Sequence, residues 1–129
     1  MNIIRETFDK SEKLCSRKII TALFEKENVF YTSCFKVVWG KSPVELPHPA
    51  QVTFSVSKKG FRLAVTRNLI KRRMREAYRK NKAALYQHLS SQKTQLVFVV
   101  ILKGNSVPDY LSIEKSTKEM INKFIALTK

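Results

Sequence analysis

Between Gln51 and Ser57 apolar and polar residues alternate. Val52, Phe54 and Val56 point one way, and Gln51, Thr53, Ser55 and Ser57 point the other. A period of two marks a strand with one face against a core. The opposite face is polar, uncharged and small-sided, which suits either plain solvent or the floor of a groove. Cys34 to Trp39 alternates in the same way, with Phe35, Val37 and Trp39 set against Cys34, Lys36 and Val38. Leu96 to Leu102 (LVFVVIL) is apolar throughout and reads as a central strand covered on both faces.

The period lengthens to that of a helix in three places. Ser11 to Lys26 carries Ile19, Ile20, Leu23 and Phe24 on one face and is ended by Glu25, Glu27 and Asn28. From about Ala64 to Leu85, one stripe runs through Thr66, Ile70, Met74, Ala77, Asn81 and Leu85. Ser112 to Leu127 places Ile113, Thr117, Met120, Ile121, Phe124 and Leu127 inward, with Asp109 or Ser112 as its cap. Pro43, Pro47 and Pro49 make Ser42 to Pro49 a loop, and Gly104 to Tyr110 turns the chain. The order is a helix, two or three strands, then helix, strand, helix. The run from Gln51 to Leu102 implies a crossover connection between strands. The expected architecture is a small α/β sandwich, helices on one sheet, forming one domain over residues 1–129.

Charge changes this picture most. The 129 residues hold 25 Lys and Arg against 10 Asp and Glu, a formal charge of +15 and a pI near 10.1. Such self-repulsion destabilises a compact domain unless a polyanion neutralises it. Nucleic acid is the first candidate and an anionic membrane surface the second. No apolar run approaches the roughly 20 residues that span a bilayer, and MNIIRETFDKSEK lacks the apolar core of a signal peptide. The expected location is the cytosol, with no membrane partner. Cys15 and Cys34 match no metal-ligand spacing and are expected to be free thiols serving as small hydrophobes.

The charge is concentrated. Lys58, Lys59, Arg62, Arg67, Lys71, Arg72, Arg73, Arg75 and Arg79 face a single acid, Glu76, in the same stretch. On the helix, Asn68, Arg72, Arg75 and Arg79 recur at i, i+4, i+7 and i+11, opposite the apolar stripe, with Lys71 and Lys82 alongside. Like charges at this spacing cost a helix a few tenths of a kcal/mol per pair. A run of charge is ordinarily a solvated face, but solvated faces mix signs. Here arginine predominates, whose fork suits phosphate. The reading is contact with RNA or DNA, apart from Arg73, which lies near the apolar stripe and is expected to snorkel. No helix-turn-helix pair, zinc-finger spacing or basic zipper appears, so DNA is disfavoured. Phe24, Phe30, Tyr31, Phe35 and Trp39 could stack on unpaired bases. Burial is the usual fate of such side chains, and Phe24 and Phe35 are the two held open.

SVSKKGFRLAVTRNLIKRRMREAYR, from Ser55 to Arg79, closely resembles the signature of the bacterial ribonuclease P protein family. The matching pieces are Lys58-Lys59, Ala64-Val65, Arg67-Asn68, Lys71-Arg72 and Arg75-Glu76-Ala77-Tyr78. An early Phe with basic residues, a helix ending at Phe24, a strand with Phe35, and a late apolar strand and helix extend the likeness along the chain. Two positions depart from the pattern. Leu69 stands where a third basic residue is common, and Leu63 where many members have glycine, so Gly60 is the candidate for a positive-φ turn position.

The resemblance implies an α/β (α+β) sandwich of about four strands and three helices, ordered α-β-β-β-α-β-α, with a left-handed βαβ crossover against the general rule, like domain 2 of ribosomal protein S5. It implies the protein subunit of a ribonucleoprotein that removes the 5′ leader from precursor tRNA. In that family the RNA subunit carries the chemistry, with Mg²⁺ bound mainly by RNA and substrate. By position, Lys58, Lys59, Arg62, Arg67, Asn68, Lys71, Arg72, Arg75 and Arg79 would contact the RNA subunit. Phe24, Phe35, Lys36, Thr53 and Ser55 would form or flank the cleft for the single-stranded leader. The residues agree on catalysis: His48 and His88 neighbour no nucleophile motif, and no carboxylate cluster suggests a two-metal nuclease. The alternative is a ribosome-associated structural RNA-binding protein without a role in tRNA processing.

Overall fold

The structure is a computed structural model and describes residues 8–26 and 28–128. Residues 1–7, which include most of the segment read above as lacking a signal peptide, lie outside the described residues, as does Glu27. The elements are a 3₁₀ turn at Lys10–Glu12, α1 (Arg17–Lys26), β1 (Val29–Tyr31), β2 (Phe35–Lys41), β3 (Ala50–Ser55), α2 (Ala64–Ser91), β4 (Leu96–Leu102) and α3 (Tyr110–Leu127). Apart from the turn, the order is the expected α-β-β-β-α-β-α.

The four strands form one sheet in the order β1-β2-β4-β3. β4 pairs antiparallel with β2 and parallel with β3, so α2 is the crossover between β3 and β4. Six of the seven β4 residues are buried, which explains the unbroken apolar run. One sheet face packs Val37, Val52, Phe98 and Val100 against Ile70, Met74 and Tyr78 of α2 and Ile113, Met120 and Phe124 of α3. The other face packs Val38, Val97 and Val99 against Leu14 and against Leu23, Ile19 and Ile20 of α1. The helix approaches closely there: a Cβ on Gly40 would stand 3.0 Å from Leu23 Cδ2.

Several elements differ from expectation, each for a physical reason. The first helix begins at Arg17, not Ser11, because the segment before it is held extended along the edge of β3. Lys13 bridges Val52 in parallel fashion, and the Leu14 N–H donates to the Val52 carbonyl at 2.9 Å. α2 continues to Ser91, past Leu85, because Tyr86 and Leu89 keep its buried stripe going. It then closes with Lys93 in the left-handed region (φ 52°), where glycine usually sits, and the Thr94 N–H bonded to the Leu89 carbonyl at 3.0 Å. Asp109, not Ser112, caps α3, accepting from the Ser112 N–H at 2.8 Å. Gly60 does not take a positive φ; Gly104 does, at 83°. Gly60 instead lies close to the next turn, where a Cβ would stand a tight 3.2 Å from the Gly104 carbonyl oxygen. Leu127 is exposed rather than inward, and Cys15 is exposed rather than used as a small hydrophobe.

Candidate RNA interface

The basic face lies on α2 and on the loop that feeds it. Lys58, Lys59, Arg62, Asn68, Arg72 and Arg75 are exposed, while Arg67, Lys71 and Arg79 are half-buried. Arg67 also shapes the loop, its Nη1 donating to the Phe61 carbonyl at 2.8 Å and the Arg62 carbonyl at 2.9 Å. Arg79 is held by Glu76, with Nε to Oε2 at 3.1 Å. The Arg79 hydrogen bond holds the Glu76 carboxyl below its ordinary value. Arg73 turns away from this face, as expected, and donates from Nη1 to the Pro108 carbonyl at 2.8 Å.

Lys82 departs from the reading. Charge patterning placed it beside the basic face, yet its side chain is 2% exposed. It shares the inner stripe of α2 with Met74, Tyr78 and Leu85. Its Nζ lies 2.5 Å from Glu12 Oε2, and the Tyr86 hydroxyl donates to the same oxygen at 2.5 Å. Burial pushes the Glu12 carboxyl up. The hydrogen bonds from Lys82 and Tyr86, with one from the Asp9 backbone, together outweigh it and hold the carboxyl below its ordinary value.

The proposed leader residues divide. Strand neighbours in register share a sheet face. Lys36, Ile101 and Ser55 stand in one row, and Val38, Val99 and Thr53 in the next, on the face that carries α1. Lys36, Thr53 and Ser55 are half-buried there, and Phe24 projects from α1 with 47% of its surface exposed. Phe35 points the other way. It is 1% exposed, packed in the core beneath α2 and α3, and so has no surface on which a base could stack. Its neighbour parity explains this: Lys36 and Phe35 cannot face the same side of the sheet. Phe35→Ala is expected to destabilise the fold by about 3–5 kcal/mol, as large core truncations do. Its folded fraction should keep its substrate preference; denaturant unfolding beside a substrate-competition assay tests both.

Two cavities lie between the edge of β3 and the basic face. One, of about 180 Å³, is lined by Phe8, Lys13, Thr53, Phe54, Lys71 and Arg75, among others. The second, of about 390 Å³, is lined by Phe8, Lys13, Arg72, Arg75, Glu76 and Arg79. Phe8, Lys13 and Arg75 belong to both, so the two form a continuous groove. Sequence reasoning left Phe8 and Lys13 out of the site. The early Phe and basic residues were part of the family likeness, but no periodicity marks that segment.

The chain length from residue 8 to residue 125 matches the family described as Ribonuclease P. A ribonuclease P protein component from Porphyromonas gingivalis is 30% identical over 112 residues, covering 87% of this chain and 82% of that one. This chain belongs to the ribonuclease P protein family. A second relative, the ribonuclease P protein component of Chlorobium phaeobacteroides, is 40% identical over 85 residues, 60% of this chain and 55% of its own. The fold agrees with two solved structures. The RNase P protein of Staphylococcus aureus superimposes with a TM-score of 0.69 at 23% identity, covering 93% of this chain and all of that one. That of Thermotoga maritima gives 0.69 at 20%, covering 87% and 96%. Membership makes the chain a protein component of ribonuclease P, part of an endoribonuclease complex acting in tRNA 5′ processing, and does not favour the ribosome-associated alternative.

Ribonuclease P is generally Mg²⁺-dependent, and the described residues bring one group of potential ligands together. Asp9, Glu12 and His48 each bring one ligand atom within 4.8 Å of the others. They do not suit Mg²⁺. Glu12 already faces the Lys82 ammonium, His48 Nε2 is 2.8 Å from Ser11 Oγ, and Mg²⁺ prefers oxygen ligands and retained waters to imidazole. Among the described residues no helix is long and apolar enough to cross a membrane.

Proposed function

We propose that this chain is a non-catalytic subunit whose α2 face docks the catalytic RNA of ribonuclease P, while the groove between residues 8–15, β3 and α2 takes the 5′ leader of precursor tRNA. Lys58, Lys59, Arg62 and Arg72 present their charge, and Asn68 its amide, outward to the RNA subunit, with Arg67 and Arg79 partly engaged in shaping that surface. Lys36, Thr53, Ser55 and Phe24 flank the leader path. Phe8 and Lys13 take the place in the groove that Phe35 cannot fill.

The observation that carries this reading is the sharing of Arg75, Lys13 and Phe8 between the two cavities. A single strand can pass from the edge of β3 at Thr53 and Phe54 to a cationic wall without leaving the protein. A ring for stacking and cations for phosphate are what a sequence-tolerant single-strand site requires. Neither histidine is poised for acid–base work: His48 pairs with Ser11 and His88 with Thr128. The chemistry, and the Mg²⁺ that serves it, belong mainly to the RNA subunit and the substrate, in the cytosol.

Reconstitution tests this. The purified protein should leave precursor tRNA intact. Added to the RNA subunit of the same organism, it should raise cleavage at low Mg²⁺ by at least about tenfold, equivalent to roughly 1.4 kcal/mol. Cleavage by protein freed of all RNA would overturn the assignment.

A further inference from the structure

The groove has one wall that is not part of the sheet or of α2. Residues 8–15 run as a strap along the open edge of β3 and then over onto the helix. At one end the Phe8 ring lies 6.1 Å from Phe54 and 5.8 Å, edge-on, from Tyr78. At the other, Leu14 bonds to Val52 and the Gln51 side chain donates to the Ser11 carbonyl at 3.0 Å. Between them the 3₁₀ turn drops Glu12 into the interior, 2% exposed, onto Lys82 and Tyr86. That contact spans 70 positions of sequence and, among the described residues, joins the strap to α2 through paired charge. The turn is pre-shaped for it, since the Glu12 carboxylate also accepts from the Asp9 N–H at 3.3 Å.

A fully buried ion pair is a poor source of net stability compared with apolar residues of the same volume, but it is strongly directional. Each charge needs a partner there, because leaving either unpaired in the interior costs far more than the pair returns. Such a contact suits a latch that must fix register. Here the register is that of Lys13 and Phe8 against Arg75, the three groups common to both cavities.

We propose that Glu12 and Lys82 are positioning residues: their buried pair latches the strap to α2 and thereby sets the width and cationic lining of the leader groove. The inference rests on the leader-groove reading above. It assigns to Lys82 a role in substrate affinity without any contact with RNA. The latch acts on how tightly the leader is held and leaves the chemical step alone.

The test uses holoenzyme reconstituted with the cognate RNA subunit and two precursors, one with a leader of several nucleotides and one with a single nucleotide. Glu12→Gln is expected to raise KM on the long-leader precursor about tenfold, to keep kcat, and to leave the short-leader precursor unchanged. Hydrogen exchange at the Leu14 amide, read on the protein alone, should accelerate at least about tenfold as the strap opens. The double variant Glu12→Leu with Lys82→Met removes both charges and should restore slow exchange and the long-leader KM. Tyr86→Phe removes one hydrogen bond to Glu12 and keeps every charge. It should show the same split at smaller size, and it carries the test if Glu12→Gln folds poorly. Equal losses on both precursors, a fall in kcat, or unchanged Leu14 exchange would each overturn the latch. If the wild-type holoenzyme itself ignores leader length, the groove reading fails instead, and Leu14 exchange still judges the latch.

Discussion

Replacing Arg72 and Arg75 together by alanine is expected to weaken binding of the RNA subunit and to flatten the dependence of that affinity on salt. Both side chains are exposed on the same face of α2, and neither is held by an acid among the described contacts. Each phosphate contact contributes about 0.7–0.9 to the log–log salt slope, so the double variant should lose up to roughly two such contacts. Both arginines also line the groove, so binding must be measured with the RNA subunit alone, without precursor. Arg73→Ala is the control. Its guanidinium ties α2 to Pro108 ahead of α3, so its loss should lower thermal stability and leave the salt slope unchanged. An unchanged slope in the double variant would remove this face of α2 from the interface.

Lys82→Met should do the reverse, disturbing the fold and not the RNA-subunit affinity. It leaves the Glu12 carboxylate buried without a counter-charge among the described residues, held by the Tyr86 hydroxyl and the Asp9 N–H. Breaking a buried pair by removing one partner costs about 3–5 kcal/mol. The pH dependence has a definite sign. In the native protein the Glu12 carboxyl is held below its ordinary value of 4.5, so its contribution is present above that value and fades as pH falls through the lowered one. In Lys82→Met burial dominates and raises the carboxyl, so that variant is most stable below the ordinary value and loses stability as pH rises. The two stability curves should therefore diverge with increasing pH through the carboxylate range. Urea unfolding at pH 4.5, 6 and 8 tests this; parallel curves would mean that Glu12 is not confined.

These arginine and lysine positions also show what a sequence can and cannot display. The alternating strands β2 and β3, the unbroken apolar run of β4 and the start of α2 are legible because alternation, apolar runs and helical spacing are local properties. β1 was not: three residues are too few for a period, and its existence depends on the pairing of Val29 with Val38 across the hairpin. Phe35 was placed correctly on the face shared with Val37 and Trp39. Both faces of this sheet are covered, however, so alternation could not say which one holds the groove. Lys82 was misread because a lone buried cation looks like any other basic residue until its partner, 70 positions earlier, is in place. The ordered motif from Ser55 to Arg79 carried the function more specifically than charge alone, since net charge names a polyanion and no more.

The position of β4 has a consequence for how the protein is made. β2 and β3 do not pair with each other; both pair with β4. Before Leu102 has left the ribosome, the nascent chain can assemble only the β1–β2 hairpin and isolated helix. Sheet closure must then bridge a connection that contains the whole of α2, the kind of non-local step that slows folding. Meanwhile LVFVVIL, seven apolar residues with no charge and no proline, is a segment apt to self-associate until its two neighbours reach it. Chains interrupted between α2 and β4 should therefore accumulate without the four-stranded sheet, whereas chains released just after β4 should be the most prone to aggregate in cells short of chaperones.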